Sequence, residues 1–318
     1  MNRESLVVTI GRLYQKISVA LTPIDKLICT LFGNKSNNSP PVICVLACPR
    51  SGSTLTYQII TTYFNSAYLS NLQNLLFATP YLGLQIAAMS SKNHRSTFRS
   101  KYGFVDGLNG EAEGLKYWSY WTGQTLEESS VWDKSKAEHL KVVLSKSNLE
   151  EKVIVTGYLG HVFCINELRN LFNNIRFVYL RRNLIDNAIS ILKADDSKVF
   201  SSKPDIEYSE DPLLRVSQQL LKIHYLIFEN EKEDYVKLNF SDIISSPEDE
   251  MDKLLKSFAD SQVKVGPKAN HVKMFIASNT SYHSEYKRND IAQALKLELS
   301  KYSNRFFVKE MMPLINDR

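Results

Sequence analysis

Carboxylates are missing from a quarter of this 318-residue chain. No Asp or Glu occurs between Lys26 and Val105, whereas Lys26, Lys35, Arg50, Lys92, Arg95, Arg99 and Lys101 place seven positive charges there. Outside this stretch the chain is net acidic, so the formal charge of +5 arises within it. An acid-free segment of such length suggests a wall that faces an anion. The plainer alternative is depletion in a Ser-, Asn- and Thr-rich stretch. The excess is too small for a nucleic-acid surface, and its cations are not interleaved along one element. Cysteine is scarce too: Cys29, Cys44, Cys48 and Cys164 form neither a C-x-x-C pair nor a disulfide-type spacing, as expected in a reducing cytoplasm. Long apolar runs are absent, which excludes a helix of the roughly 20 residues a bilayer requires. What is present, 43% hydrophobic and 11% aromatic residues, excludes a largely disordered chain.

Residues 1–38 read as a basic amphipathic arm and linker. Leu6–Phe32 is apolar but interrupted by Arg12, Lys16, Asp25 and Lys26, without the apolar core of a signal peptide. Such an arm packs on its own domain or, as the alternative, residues 1–33 make a peripheral contact with an anionic membrane. Asn34–Pro41 is a polar, Pro-terminated linker. Residues 39–318 read as one α/β domain. Val42–Ala47, Val153–Thr156, Ile175–Leu180 and Tyr235–Phe240 are strand-length apolar runs, and helical patterns over 54–64, 162–172, 184–192 and 213–228 alternate with them. Ser246-Pro247-Glu248-Asp249 reads as an N-cap, a Pro at N1 and an acidic reciprocal cap. Alternating strands and helices predict a central parallel sheet flanked by helices. Residues 66–150 show few strand signals and predict a helical insertion over its carboxyl edge.

The first strand runs into Cys48-Pro49-Arg50-Ser51-Gly52-Ser53-Thr54 and then straight into a helix. That geometry offers unpaired backbone N–H groups and a helix dipole to an anion. Gly52 permits close approach, Ser51, Ser53 and Thr54 add hydroxyl donors, and Arg50 adds a forked cation. It is no Walker A loop, because the second Gly and the Lys-[ST] pair are lacking and the cation precedes the Gly. A compact 5′-phosphate group without an obligatory metal fits better.

Pro49–Thr54 resembles the 5′-phosphosulfate loop, P-R-S-G-[ST]-[ST], of sulfotransferases that use 3′-phosphoadenosine 5′-phosphosulfate (PAPS), in carbohydrate and bacterial-like members. The second hallmark of that family, an Arg at a strand end with a Ser eight residues on, is similar to Arg182 and Ser190 in FVYLRRNLIDNAIS. Leu184 stands where relatives usually carry Pro. VKLNFSDIISSP is similar to the family's late strand-loop segment, and Lys287 and Arg288 to its C-terminal nucleotide-contacting segment. The resemblance covers about residues 40–260. It implies a P-loop-like fold, no required metal, and in-line transfer of a sulfuryl group from PAPS to a hydroxyl or amine of a carbohydrate, glycolipid or small metabolite. It also implies that Arg50, Ser51, Gly52, Ser53 and Thr54 hold the 5′ end and that Arg182 and Ser190 hold the 3′-phosphate. The alternatives from the residues alone are a P-loop-type kinase or nucleotide hydrolase, and a non-catalytic nucleotide- or anion-binding protein.

A hydroxyl acceptor needs a general base. Relatives with an Arg-type loop place a Glu shortly after the first helix. Here that region, Tyr68–Asn74, lies inside the acid-free stretch. Glu113 ranks first as the replacement, because it precedes Tyr117-Trp118-Ser119-Tyr120-Trp121 as in a G-L-x-x-x-x-E run before W-x-x-W. A solvated first-turn acid is the alternative. His161, after the strand Val153–Thr156, ranks second and Asp106 third. His94 among Lys92, Arg95 and Arg99 reads as a solvated side chain, and the aromatic run 117–121 reads mainly as core.

Overall fold

The computed structural model describes residues 3–34, 40–90, 95–100, 103–126, 129–147, 149, 151–196, 209–258, 263–267, 269, 272 and 288–316. His94 and Lys287 lie outside them, as do residues 35–39 of the linker.

Five strands, β1 (Val42–Leu46), β2 (Ser66–Tyr68), β3 (Val153–Thr156), β4 (Ile175–Arg181) and β5 (Tyr235–Asn239), pair in the order β2-β3-β1-β4-β5. All neighbouring pairs are parallel. Every residue of β1 and β3 is buried, which is why these strands read as continuous apolar runs rather than alternating ones. Successive side chains nevertheless serve opposite cores. Val42, Cys44 and Leu46 join Phe177 and Tyr179 on one face. Ile43 and Val45 join Val155, Val178 and Leu180 on the other.

The chain order of the helices is α1 (Arg3–Phe32), α2 (Ser53–Tyr63), α3 (Asn71–Leu75), α4 (Pro80–Ser90), α5 (Leu115–Thr122), α6 (Lys134–Lys146), α7 (Ile165–Leu171), α8 (Leu184–Asp196), α9 (Pro212–Glu229), α10 (Phe240–Ser245), α11 (Pro247–Lys256), α12 (Arg288–Leu299) and α13 (Arg305–Ile315). The apolar stripe of 184–192 belongs to α8, with Leu184, Ala188 and Ile191 in the core.

Three local expectations fail for identifiable reasons. The insertion 66–150 is helical, but its first residues form β2, an edge strand too short to carry a period-2 signal. The pattern 162–172 divides into a 3-10 turn, Leu159–Phe163, and α7, because Cys164 leaves helical geometry at φ −139°. Ser246 is the N-cap residue of α11, followed by Pro247 and by Glu248 and Asp249 in the first turn, but its side chain makes no capping hydrogen bond.

Helix α1 packs on α4 with an unusual polarity. Its inward residues are Ser18, Thr22, Asp25 and Cys29, all buried. Asp25 accepts hydrogen bonds from the amides of Tyr81 (3.1 Å) and Leu82 (2.9 Å), serving as a tertiary cap for the first turn of α4. Thr22 donates to the Ala78 carbonyl at 3.0 Å. Burial raises the Asp25 carboxyl pKa, and the two amide bonds act against that rise. Among the described residues, no helix is long and apolar enough to cross a membrane.

Candidate active site

The loop between β1 and α2 takes two left-handed residues to make its turn. Arg50 adopts φ 60° and Gly52 φ 95°. The Arg50 backbone is strained for a residue with a side chain, and such strain persists only where neighbours hold it. Two of them do. Arg182, just past the end of β4, donates from Nη1 to the Arg50 carbonyl at 2.9 Å, and Asn187 on α8 donates from Nδ2 to the Pro49 carbonyl at 2.7 Å. Gly52 is required for a further reason. A Cβ there would lie 2.1 Å from the ring of Phe240, the first residue of α10. That ring also lies under the Arg182 guanidinium, whose centre is 5.0 Å from the ring centroid. The tight approach at Gly52 is therefore made to the protein itself, and it fixes the loop against β4 and α10.

Helix α2 begins at Ser53 without a side-chain cap, because Gly52 has none to give. The first-turn amides and the positive end of the dipole are thus left for another acceptor. Ser51 is buried, and among the described residues its Oγ has no hydrogen-bond partner. An uncapped helix start and a buried, unsatisfied hydroxyl beside a permanent cation are the arrangement an anionic oxygen would complete. Thr54, also on α2, donates to Oε1 of Glu113 at 3.3 Å.

Glu113 arrives from a distant segment whose path is set by backbone pairing. Ser70 and Glu111 form an antiparallel bridge, the Ala112 amide donates to the Leu69 carbonyl at 2.8 Å, and the Asn71 amide to the Gly110 carbonyl at 3.0 Å. Residues 105–113 therefore lie along residues 69–72, the region in which no carboxylate occurs in the sequence. Gly103 (φ 90°) crosses above, where a Cβ would come within 3.2 Å of Glu113 Oε1 and 3.7 Å of Thr54 Oγ1. Burial pushes the Glu113 carboxyl up to about 7, while the Thr54 hydrogen bond and the Arg50 charge pull it down. Its neighbour Glu111 is buried and accepts from Gln58 Nε2 at 3.4 Å.

The other candidates sit elsewhere. His161 is only 1% exposed, with Nε2 2.9 Å from Thr156 Oγ1 and its ring edge-on to Trp118 and Tyr158. Burial lowers its pKa to about 3, so it stays neutral inside the core. Asp106 is exposed. Tyr117, Trp118 and Trp121 are buried in the main core, while Tyr120 is only partly buried against it. Ser190 is buried in α8. Arg181 turns away from the loop to pair with Glu310 on α13 at 3.4 Å. Arg288 pairs with Asp186, near the start of α8, at 2.8 Å. Four of the seven cations of the acid-free stretch lie among the described residues. Arg50 lies in the loop, but Lys26 is exposed on α1 and Arg95 and Arg99 are exposed in the segment 95–100, while Lys35, Lys92 and Lys101 lie outside the described residues.

Residues 41–259 match the profile of the sulfotransferase family. The chain belongs to that family. A search of curated proteins gave no match. Among solved structures, the fold is similar to sulfotransferase STF1 from Mycobacterium tuberculosis H37Rv, with a TM-score of 0.52 at 12% identity over 92% of this chain and 85% of that one. It is also similar to sulfotransferase STF9 from Mycobacterium avium, with a TM-score of 0.52 at 11% identity over 84% and 78% of the two chains. At such identities the likeness concerns the fold, a five-stranded parallel sheet flanked by helices.

Two residues of this sulfotransferase's site escaped the sequence reading. Asn187 had a usable signal, since it is a lone amide on the apolar stripe of α8 between Leu184 and Ile191, and a buried amide needs partners. Phe240 had none, because its role depends on the approach of Gly52 from a remote loop.

Proposed function

We propose that this sulfotransferase uses PAPS as donor and sulfates a hydroxyl of a carbohydrate, glycolipid or small metabolite, with Glu113 as the general base. The observation that carries this reading is the Glu113 carboxyl hydrogen-bonded to Thr54 of the phosphate-binding turn and poised near neutrality. When bound, PAPS supplies a sulfuryl group activated by a phosphate leaving group. The uncapped start of α2, Ser51, Ser53 and Thr54 hold the 5′ end. Arg50 would neutralise negative charge developing at the 5′ end of the donor during sulfuryl transfer. Glu113 would accept the proton of the acceptor hydroxyl. Arg182 and Ser190 hold the 3′-phosphate, and Arg182 also braces the loop through the Arg50 carbonyl.

A base pKa of about 7 suits proton removal near neutral pH, because the carboxylate is populated without being too weak to accept. His161 is less suited, being neutral but enclosed by Trp118, Tyr158 and Thr156. The four free, buried thiols suit a cytoplasmic enzyme. Calorimetry with 3′,5′-ADP and transfer of label from PAPS across a panel of carbohydrate and small hydroxylated acceptors test the proposal. Micromolar 3′,5′-ADP binding together with label transfer is expected. No binding at millimolar nucleotide would overturn the donor assignment.

A further inference from the structure

One face of α2 meets the segment that carries the proposed base. Thr54, Tyr57 and Gln58 stand at i, i+3 and i+4, so they project from the same side of the helix. Thr54 donates to Glu113 Oε1 at 3.3 Å, and Gln58 Nε2 donates to Glu111 Oε2 at 3.4 Å. Between them the Tyr57 hydroxyl accepts from the Leu69 amide at 3.1 Å. The Leu69 carbonyl in turn accepts from the amide of Ala112, which lies between the two glutamates. We propose that Gln58 and Glu111 are positioning residues, which lock the register of residues 111–113 on α2 and thereby hold the Glu113 carboxyl against Thr54. The inference rests on the reading of Glu113 as the general base.

Spacing is the first argument. Four residues of helix rise about 6.0 Å, and two residues of extended chain about 6.6 Å. An i, i+4 pair on α2 therefore matches an i, i+2 pair on the returning segment, rung for rung. A slip of one residue would bring Ala112 to α2 and turn both carboxyls to the other side. The two rungs also differ in access. Gln58 is wholly buried and Glu111 is 2% exposed, whereas Glu113 retains partial exposure, as a group that must meet an acceptor requires. Tyr57 does not set this register by itself, because it holds Leu69 rather than the segment that carries Glu113.

The second argument is the choice of residues. A buried carboxyl set against a neutral amide is a costly way to join a helix to a paired segment. Both groups give up water, and two apolar side chains would pack there without that loss. What the amide–carboxyl bond adds is direction, since it forms at one register, as a buried polar residue does in a coiled coil. Gln58 Oε1 adds to the cost: it is buried and has no hydrogen-bond partner among the described residues. A pair selected for stability alone would leave no such atom.

Magnetic resonance titration of isotope-labelled glutamate carboxyls in the free, full-length protein is the test, with the Glu113 signal assigned by its loss in Glu113→Gln. Besides Glu111, the charged or titratable groups that bear on Glu113 are Arg50, Tyr57 and Tyr158. The guanidinium stays charged, and burial holds the Tyr158 phenol up at about 12 and the Tyr57 phenol well above its ordinary value. Glu111→Leu and Glu111→Gln remove the same carboxyl, but only Gln leaves an acceptor for Gln58, so a difference between them reads register and not charge. Glu111→Leu should bind the Glu113 proton about three-fold or more tighter than Glu111→Gln, because the Thr54 bond that favours the carboxylate is lost while burial remains. Equal or weaker binding would overturn the proposal. Gln58→Leu/Glu111→Leu leaves no amide unpaired and guards against a failure to fold. It should melt no lower than Glu111→Leu and still hold the proton more tightly than Glu111→Gln; recovery of the parent's proton affinity would reduce the pair to packing and overturn the proposal too. Label transfer from PAPS should fall about ten-fold or more in both leucine variants, with 3′,5′-ADP affinity within about three-fold of the parent. The titration needs neither nucleotide nor acceptor, so it can fail while Glu113 stands as the base. Glu113→Gln kinetics can likewise remove the base while the register effect stands.

Discussion

The two sides of the proposed active site are built in different ways. On one side, residues 48–54 form a turn between a strand and a helix that are contiguous in sequence, and their donors are set by the turn itself. On the other, residues 103–113 reach the site through pairing with residues 69–72 and hold one carboxylate under a glycine crossing. The first side is a contiguous turn, braced by Arg182, Asn187 and Phe240, and carries fixed positive charge. The second depends on long-range backbone pairing and carries a carboxylate whose charge changes near neutral pH. Substrate anions are best received by a rigid, permanently cationic cradle, whereas a base must exchange a proton. The proposed division of labour follows from those two needs.

That contrast can be broken most directly at the base. Glu113→Gln should lower kcat by about 10²–10⁴-fold while leaving 3′,5′-ADP affinity within about three-fold of the parent. The parent's rate should fall as pH drops through about 7, because Glu113 must be deprotonated to act, and this limb should vanish from the residual activity of the variant. A retained acid limb would remove Glu113 from the role. Next in size is Arg50→Ala, for which kcat/KM should drop about 10²-fold or more, with 3′,5′-ADP binding weakened as well. Unlike the Glu113 variant, the Arg50 variant should keep the acid limb, because it retains the carboxylate. Equal pH profiles for the two variants would erase the distinction between the sides.

Smaller effects should separate the supports. Asn187→Ala leaves the Pro49 carbonyl without its donor, so a stability loss of about 1–3 kcal/mol by denaturant melts and weaker 3′,5′-ADP binding are expected. Gly103→Ala puts a Cβ into a left-handed position 3.2 Å from Glu113 Oε1. It should lower kcat and shift the acid limb, with nucleotide affinity held. If both supports disturbed only binding, the glycine crossing would belong to the cradle rather than to the base.

The same division explains what could be read from the sequence. Four of the five strands, the turn, and Arg182 after β4 are signalled by neighbouring residues: apolar runs of strand length, a Pro-Arg-Ser-Gly turn, and a helical stripe following at once. β2 is three residues long and owes its existence to β3, so nothing within Ser66–Tyr68 announces it. The acid-free stretch holds no carboxylate between Tyr68 and Asn74. The way the molecule brings Glu111 and Glu113 back beside that stretch depends on a pairing register between segments some 40 residues apart, which local pattern does not encode. In α1 the packing of the arm on its own domain was legible, but not the face it buries. The apolar face was evident, but three polar side chains and a cysteine, committed to α4 and its surroundings, turned it outward.

Stability supplies the last and smallest test, and its sign is opposite to that of the kinetic one. The folded protein raises the Glu113 pKa from 4.5 to about 7, chiefly by burial. A raised carboxyl pKa means that the folded state binds the proton more tightly than the unfolded state does. Its contribution is then fully favourable below pH 4.5 and is lost as pH rises through about 7. Above that pH the fold carries a buried carboxylate at a net cost on the order of 3 kcal/mol, which already includes the offset from Thr54 and Arg50. Glu113→Gln removes the ionisation but keeps the shape and an acceptor for the Thr54 hydroxyl. Its thermal midpoint should exceed that of the parent by a few degrees at pH 8 and by less at pH 5. An enzyme that becomes more stable at pH 8 as it loses its base would show that the carboxylate is held for chemistry and not for the fold. A lower midpoint at pH 8 would instead make Glu113 a structural partner of Thr54, and the two sides of the site would then serve the same purpose.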